Sequence, residues 1–419
     1  MAPMTAPASP TVLSSRRDTA AGDWLGRAEL DALTPAALTE RTTALKPLLA
    51  AHAREAEAFR HPADAAWNAI RRTGAFYHLV PRRYGGLEFG VDAFIDAMLP
   101  LGEACASTGW VAAFCVEHNW MLAQFPKEAQ DEIFGASPYI IAPGVTTPPG
   151  RATRVTGGYR LTGQWKWGTG VMHADWVLAA GLVFTDGAPP AMLFFAVPIA
   201  EVSILDTWHV DGMIGTGSND IAIRDVFVPG HRTLDMALMR DGASPGAALH
   251  DNPIYRMPML PFLSLTAAIP ALGTARAAVA CFRDRLSQRP VFGSDLKQAD
   301  KPAAQMRLAM ADMQARTAEM LVRDVGRKVV ALGEQRKAHL VDERIALRLQ
   351  VAYAVDLCRS AVRLVSEASG AGAHFTDNPL QRALRDINVM ASHIVYDLDA
   401  ATEAHGRALI GLPPTSTLV

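Results

Sequence analysis

The chain has 419 residues, half of them hydrophobic and a fifth charged, so it is long enough for two or three folded domains and too apolar for a disordered chain. A formal net charge of -2 gives no electrostatic reason to expect nucleic acid or a membrane surface as a partner. The four cysteines, Cys105, Cys115, Cys281 and Cys358, form no CxxC pair and no zinc-spaced cluster with histidine, so they read as reduced thiols of a cytoplasmic protein.

Residues 1–20, rich in Ala, Pro, Ser and Thr, have the composition of a disordered tail and lack the apolar centre of a secretory signal. No apolar run is expected to reach membrane-spanning length. Residues 21–137 read as an N-terminal helical domain. Leu33, Leu38, Leu45, Leu48 and Leu49 recur at helical spacing, and Thr34-Pro35 is a cap followed by a first-turn proline. The run from Ser107 to Phe125 is almost free of charge and belongs at the centre of its bundle. It carries His118, with Trp110 and Phe114 at spacings of four on the same side, while Glu117 and Asn119 point elsewhere. Such a histidine is either a satisfied core residue or a pocket base whose pKa is set by its apolar surroundings.

Residues 138–240 change period, with short apolar runs between turns, and read as a small antiparallel β-barrel or sandwich. Within them the stretch Val155–Gly181 combines a Gly157-Gly158 turn, Trp165 and Trp167 two residues apart on one strand face, and Gly168-Thr169-Gly170. Indoles beside glycines and a hydroxyl suit a flat cofactor, although a Trp-rich sheet packed on a core has the same sequence. No GxGxxG precedes a helix, so no nicotinamide-binding fingerprint is present. Residues 241–419 return to helix: a long apolar helix from Leu260 to about Arg289, two more at 303–332 and 342–369, and a last one from Leu380 to about Leu409, making a four-helix bundle.

This order of helices, β domain and bundle, with several separated motifs, resembles the acyl-CoA dehydrogenase superfamily across about residues 25–415. The stretch Gly163–Gly170 is similar to that family's flavin segment, and the resemblance makes Trp167 the flavin-stacking Trp and Thr169 the hydroxyl at the flavin N5 edge. Arg289-Pro-Val-Phe292-Gly293 matches its R-x-x-F-G, which implies contacts to a neighbour's flavin nucleotide, and Arg385-Asp386 matches its R-D pair. The dehydrogenases' catalytic Glu falls on Asp377, and their Q-x-x-G-G-x-G loop is replaced by Glu367-Ala-Ser-Gly370-Ala-Gly372-Ala. Conversely, segments 107–120, 155–176 and 379–397 look like the group D flavin-dependent monooxygenases, the oxygenase components of two-component systems on the same fold.

That resemblance implies two histidines flanking flavin and substrate, His118 and His393, with Asp397 four residues on to orient His393. It implies reduced flavin (FMNH2 or FADH2) from a separate flavin reductase, O2, a flavin C4a-hydroperoxide, and a homotetramer. Thr169 and Trp167 would protect the flavin and His118 would act as base toward a phenol-like aromatic substrate. Trp110, Phe114, Trp120, Tyr255 and Phe262 are the expected substrate-pocket residues. The alternatives are a dehydrogenase using Asp377 as base, an N- or S-oxygenase of the same fold, and a flavin-free scaffold subunit.

Overall fold

The structure is a computed structural model that describes residues 10–15, 24–291, 293–335 and 339–416. Helices dominate both ends of the chain, and a sheet lies between them. The principal helices are α1 (Pro35–Ala44), α2 (Lys46–Phe59), α3 (Val91–Ala104), α4 (Ala106–Leu122), α5 (Met259–Leu286), α6 (Pro302–Glu334), α7 (Val341–Ala368), α8 (Pro379–Ala391) and α9 (Leu398–Leu409). Helix α1 starts as its sequence dictates: the Thr34 side chain accepts from Ala37 N at 3.1 Å and Pro35 occupies a position that needs no N–H partner.

Helix α4 is buried on every side; of its side chains only Phe114 is partly exposed. It packs against α3 and α5, and α5 in turn packs against α6, α7 and α8. Helix α5 is long and apolar enough to cross a membrane by length and composition, contrary to the expectation from the sequence, but 78% of its most apolar window is buried inside the protein. It is the central core helix of the C-terminal bundle.

The expected last helix is two helices. Helix α8 ends at Ala391, a single 3-10 turn spans Ile394–Tyr396, and α9 begins at Leu398. The break has a local cause. The His393 ring accepts from Val395 N, and the Asp397 carboxylate accepts from Ala400 N at 3.0 Å, so both side chains cap new N-termini instead of continuing α8.

The sheet has eight strands: β1 (Val12–Leu13), β2 (Gly144–Val155), β3 (Gly158–Trp165), β4 (Trp176–Thr185), β5 (Ala188–Pro198), β6 (Ser203–Leu205), β7 (Asp220–Pro229) and β8 (Thr233–Asp235). Their order is β1-β6-β7-β3-β2-β4-β5-β8. The expectation of an all-antiparallel domain is corrected at one pair: β2 and β4 run parallel, with Gly144 opposite Leu178, in a sheet that curls so that Tyr159 of β3 meets Phe195 of β5. After the β2–β3 hairpin the segment 166–175 carries the chain across to the far edge of β2 before β4 begins, which reverses the direction once more. The disordered-tail expectation is corrected at Val12–Leu13, which pair with Leu205 and Ile204 at the sheet edge; residues 1–9 and 16–20 lie outside the described residues.

Candidate active site

Two consecutive polar side chains weld α4 to the entrance of β2. The Asn119 side chain bonds both backbone groups of Ile140, donating to its O at 3.0 Å and accepting from its N at 2.9 Å. His118 lies 2.5 Å through Nδ1 from the Ala142 carbonyl. A carbonyl only accepts, so Nδ1 carries the hydrogen and Nε2 of the neutral ring holds a bare lone pair. Burial pushes the His118 pKa down to about 4, with the Ala142 bond opposing it, so the ring is neutral at ordinary pH. The space in front of Nε2 exists because residue 144 is glycine: a Cβ there would stand 3.1 Å from Nε2.

Aromatic rings gather beside His118. Phe114 meets His118 edge to face at a centroid distance of 5.6 Å, and Trp110 lies 4.7 Å from Phe114. His393 approaches both, 5.9 Å from Trp110 and 6.3 Å from Phe114, and Tyr396 lies 5.9 Å beyond it. The sequence spacing therefore placed Trp110, Phe114 and His118 correctly in one wall, and tertiary packing adds His393 from the other end of the chain. His393 accepts through Nδ1 from Val395 N, so its Nε2 carries the hydrogen. The two histidines thus present opposite faces of the same chemistry, an acceptor at His118 and a donor at His393. Asp397 does not orient His393, because its carboxylate is spent on capping α9.

The Lys166–Gly170 loop packs beside this wall. A Cβ on Gly170 would collide with Cys115 Sγ at 2.7 Å, so only glycine lets the loop lie on α4 one turn before His118. Trp165 and Trp167 do not share a face as strand alternation predicts. Trp165 ends β3 fully buried, donating to Ala180 O at 2.8 Å. Trp167 has left the strand at φ +63°, and its indole is 55% exposed. A non-glycine residue held in the left-handed region with a large apolar side chain facing outward is a strained arrangement of the kind found at binding sites. Thr169 is buried, with Oγ1 2.9 Å from Ser218 Oγ. Ser218 donates to Thr216 at 2.9 Å, and Thr216 donates to Met213 O at 2.9 Å. Since the terminal carbonyl only accepts, every hydrogen in this chain points away from Thr169, which donates to Ser218 and keeps its lone pairs. Ser218 and Thr216 escaped the sequence reading, which treated this part of the chain only as turns between short apolar runs.

The remaining candidates divide. Arg385 donates to Asp211 O at 2.8 Å and pairs with Glu57 at 2.7 Å, while Asp386 accepts from Met213 N at 2.6 Å. The R-D pair therefore anchors the loop that ends in Ser218. Arg289 hydrogen-bonds the Ser369 carbonyl at the end of α7, and Gly293 takes φ +73° in the turn beyond it. Phe292 lies outside the described residues. Trp120, Tyr255 and Phe262 are fully buried; Trp120 donates to Ile254 O and packs on Phe262 at 5.1 Å, and Tyr255 donates to Leu79 O. They fill the core rather than line the ring-walled site. Asp377 is exposed in a separate cleft of about 490 Å³ with Cys281, Arg285 and Phe375, none of which belongs to the ring wall.

Glu117, read from the helical wheel as pointing elsewhere, is in fact a buried neighbour of His118. Its Oε1 lies 3.8 Å from His118 Nε2, and its other oxygen is hydrogen-bonded to Thr266 on α5. Burial raises its pKa well above the usual carboxylate range.

The family described as "Acyl-CoA dehydrogenase, C-terminal domain" matches residues 265–398. A pigment production hydroxylase of Rhodococcus sp. (strain ATCC 21145) is 37% identical over 92% of this chain and all of its own length. The FADH(2)-dependent resorcinol hydroxylase oxygenase component of Rhizobium sp. (strain MTP-10005) is 33% identical, covering 90% of this chain and 95% of that protein. Among solved structures, 3-HSA hydroxylase from Rhodococcus sp. RHA1 superposes with a TM-score of 0.87 at 32% identity, over 93% of this chain and 100% of that one. XiaF from Streptomyces sp., in complex with FADH2 and glycerol, gives 0.86 at 31% identity over 93% and 98%. The chain belongs to the family of flavin-dependent monooxygenase oxygenase components built on the acyl-CoA dehydrogenase fold.

Proposed function

We propose that this oxygenase hydroxylates a phenol-like aromatic compound, using O2 and reduced FMN or FAD delivered by a separate reductase. The observation that carries the substrate class is the neutral His118, pinned through Nδ1 and so holding a lone pair on Nε2, beside the rings of Phe114 and Trp110. A flat apolar ring with one hydroxyl satisfies that wall and that acceptor together. Relatives named as hydroxylases of resorcinol and p-hydroxyphenylacetate are consistent with this reading.

The residues present fit a flavin. Trp167 offers an exposed indole plane, Gly168 and Gly170 allow close backbone approach, and Thr169 offers lone pairs at the edge of the same loop. Reduced flavin, when bound, activates O2 and supplies the oxygen atom. The protein does the rest. Trp167 and the loop hold the ring and keep water away from it. Thr169, whose hydrogen goes to Ser218, would offer its lone pairs to a ring N–H. His118 takes the substrate's hydroxyl proton, which makes the ring carbon a better nucleophile. His393, whose ring centroid lies 6.3 Å from that of Phe114, would donate through Nε2.

A homotetramer accompanies this reading. Met306, Met310 and Met313 recur along one face of α6, and each is more than half exposed, an apolar surface that suits contact with further copies of the chain. The test of function is to mix the protein with photoreduced FMN or FAD and oxygenated buffer containing resorcinol or p-hydroxyphenylacetate, then measure hydroxylated product and hydrogen peroxide. Product that disappears in His118→Gln, with peroxide rising to match the oxygen consumed, supports the reading. Oxidation confined to nitrogen or sulfur heterocycles, unaffected by His118→Gln, overturns it.

A further inference from the structure

The direction of the Thr169 hydrogen is decided by a second loop, residues 213–219 between β6 and β7. The two loops are tied together by the Gly168 N–H, which donates to Asn219 O at 2.9 Å. The second loop is itself held at both ends. Met213 N donates to Asp386 on α8 at 2.6 Å, and Met213 O accepts from the Trp208 indole at 3.1 Å. At the other end the Asn219 side chain accepts from the backbone N–H groups of Thr207 and Trp208 at 3.1 and 3.0 Å.

Ser218 and Thr216 are buried inside this frame. Thr216 Oγ1 lies 2.9 Å from Met213 O and 2.9 Å from Ser218 Oγ. Its single hydrogen belongs on the carbonyl, because the opposite arrangement sets hydroxyl lone pairs against carbonyl lone pairs at that distance. Ser218 then donates to Thr216 and turns its own lone pairs to Thr169 Oγ1, which donates to them. We infer that Ser218 and Thr216 are positioning residues for Thr169: they commit its hydrogen to the protein and leave only acceptor capacity toward the flavin.

The consequence is a choice between two states of the cofactor. N5 of reduced flavin carries a hydrogen, whether or not N1 is ionised, and that hydrogen meets a Thr169 lone pair. N5 of oxidised flavin carries a lone pair and finds no donor, since turning the Thr169 hydrogen toward it strips buried Ser218 of a partner. The hydroxyl relay thus favours arrival of reduced flavin and departure of oxidised flavin, the traffic that a cofactor supplied by a separate reductase needs.

The inference rests on Thr169 facing the flavin N5, and binding measurements separate the two. Full-length protein is titrated with oxidised FMN in air and with photoreduced FMN under anaerobic conditions, and the two dissociation constants are compared. Wild type binds reduced FMN the more tightly. Thr169→Val weakens reduced FMN by about tenfold, the worth of one hydrogen bond, and leaves oxidised FMN unchanged. Ser218→Ala frees the Thr169 hydrogen for N5, so oxidised FMN binds about tenfold more tightly while reduced FMN is unchanged. Thr216→Val acts in the same direction from one hydroxyl further away, because Ser218 then turns its hydrogen to Thr169, and Thr216→Ser keeps the wild-type ratio. Simple damage to the loop would weaken both forms of FMN together. If Thr169→Val loses reduced FMN but Ser218→Ala and Thr216→Val leave oxidised FMN unmoved or weaker, the relay is overturned and the reading of Thr169 stands. If Thr169→Val changes neither affinity, both are overturned.

Discussion

Asp386→Asn should stabilise this protein at neutral and alkaline pH. The Asp386 carboxyl is almost wholly buried, and burial raises its pKa from 3.8 to about 6. Glu57 pushes in the same direction, while the Met213 N–H, Arg385 and Arg382 oppose it. The native state therefore holds a proton on this group in a window where the unfolded chain has lost it. Stability from this group is present at low pH and is lost as pH rises from about 4 through about 6. A shift of about two units corresponds to about 3 kcal/mol of penalty once both states are ionised. Asparagine keeps an oxygen for the Met213 N–H and removes the charge, and a small adjoining cavity of about 60 Å³ gives its amide room for a water partner. Thermal melting of both proteins at pH 8 and pH 4.5 checks this. The variant melts higher at pH 8, and most of the gap closes at pH 4.5. A variant less stable than the parent at pH 8 would refute the reasoning, because the ionised carboxylate would then be contributing more through its bond to Met213 than its burial costs.

Three further outcomes follow from the site. Trp167→Gly removes the exposed indole at a backbone angle glycine prefers, so melting is unchanged or slightly higher, while the affinity for reduced FMN measured anaerobically falls by about 3- to 10-fold. Gly144→Ala puts a methyl group about 3 Å from His118 Nε2, so KM for the phenol rises several-fold and the peroxide share of consumed oxygen grows, while flavin affinity stays the same. Trp165→Phe leaves the Ala180 carbonyl without its indole donor and opens a void in the sheet core, which costs about 1–3 kcal/mol in melting experiments without altering the hydrogen bonds of the Lys166–Gly170 loop.

Much of the fold was legible because its signals are local. A charge-poor run makes α4 a central helix, and Thr34-Pro35 starts α1. Trp110, Phe114 and His118 share a wall because helical spacing alone decides it. What was misread depends on contacts that spacing does not contain. Glu117 looked like a residue on another face because its partner Thr266 is 149 residues away, on α5. Trp165 and Trp167 part company because Trp167 adopts a positive φ, which breaks the strand's alternation. His393 and Asp397 look like a helical pair, yet each caps a new N-terminus and so ends the helix that would have joined them. The parallel pairing of β2 with β4 is likewise a matter of where a ten-residue connection crosses, not of either strand's composition.

Helix α4 has one more consequence. Its residues 117, 118 and 119 are moored to different bodies: Glu117 to a hydroxyl of the C-terminal bundle, His118 and Asn119 to backbone at the mouth of the sheet. Any sliding of sheet against bundle is felt as a torque on three adjacent side chains, and the atom at the pivot is His118 Nε2. On the proposed reading of His118 as the base, substitutions far from the rings, at the seam between α5 and α4 or beneath the start of β2, are expected to change the rate by re-aiming this one nitrogen. A library that varies the seam and leaves the proposed ring wall intact tests that expectation.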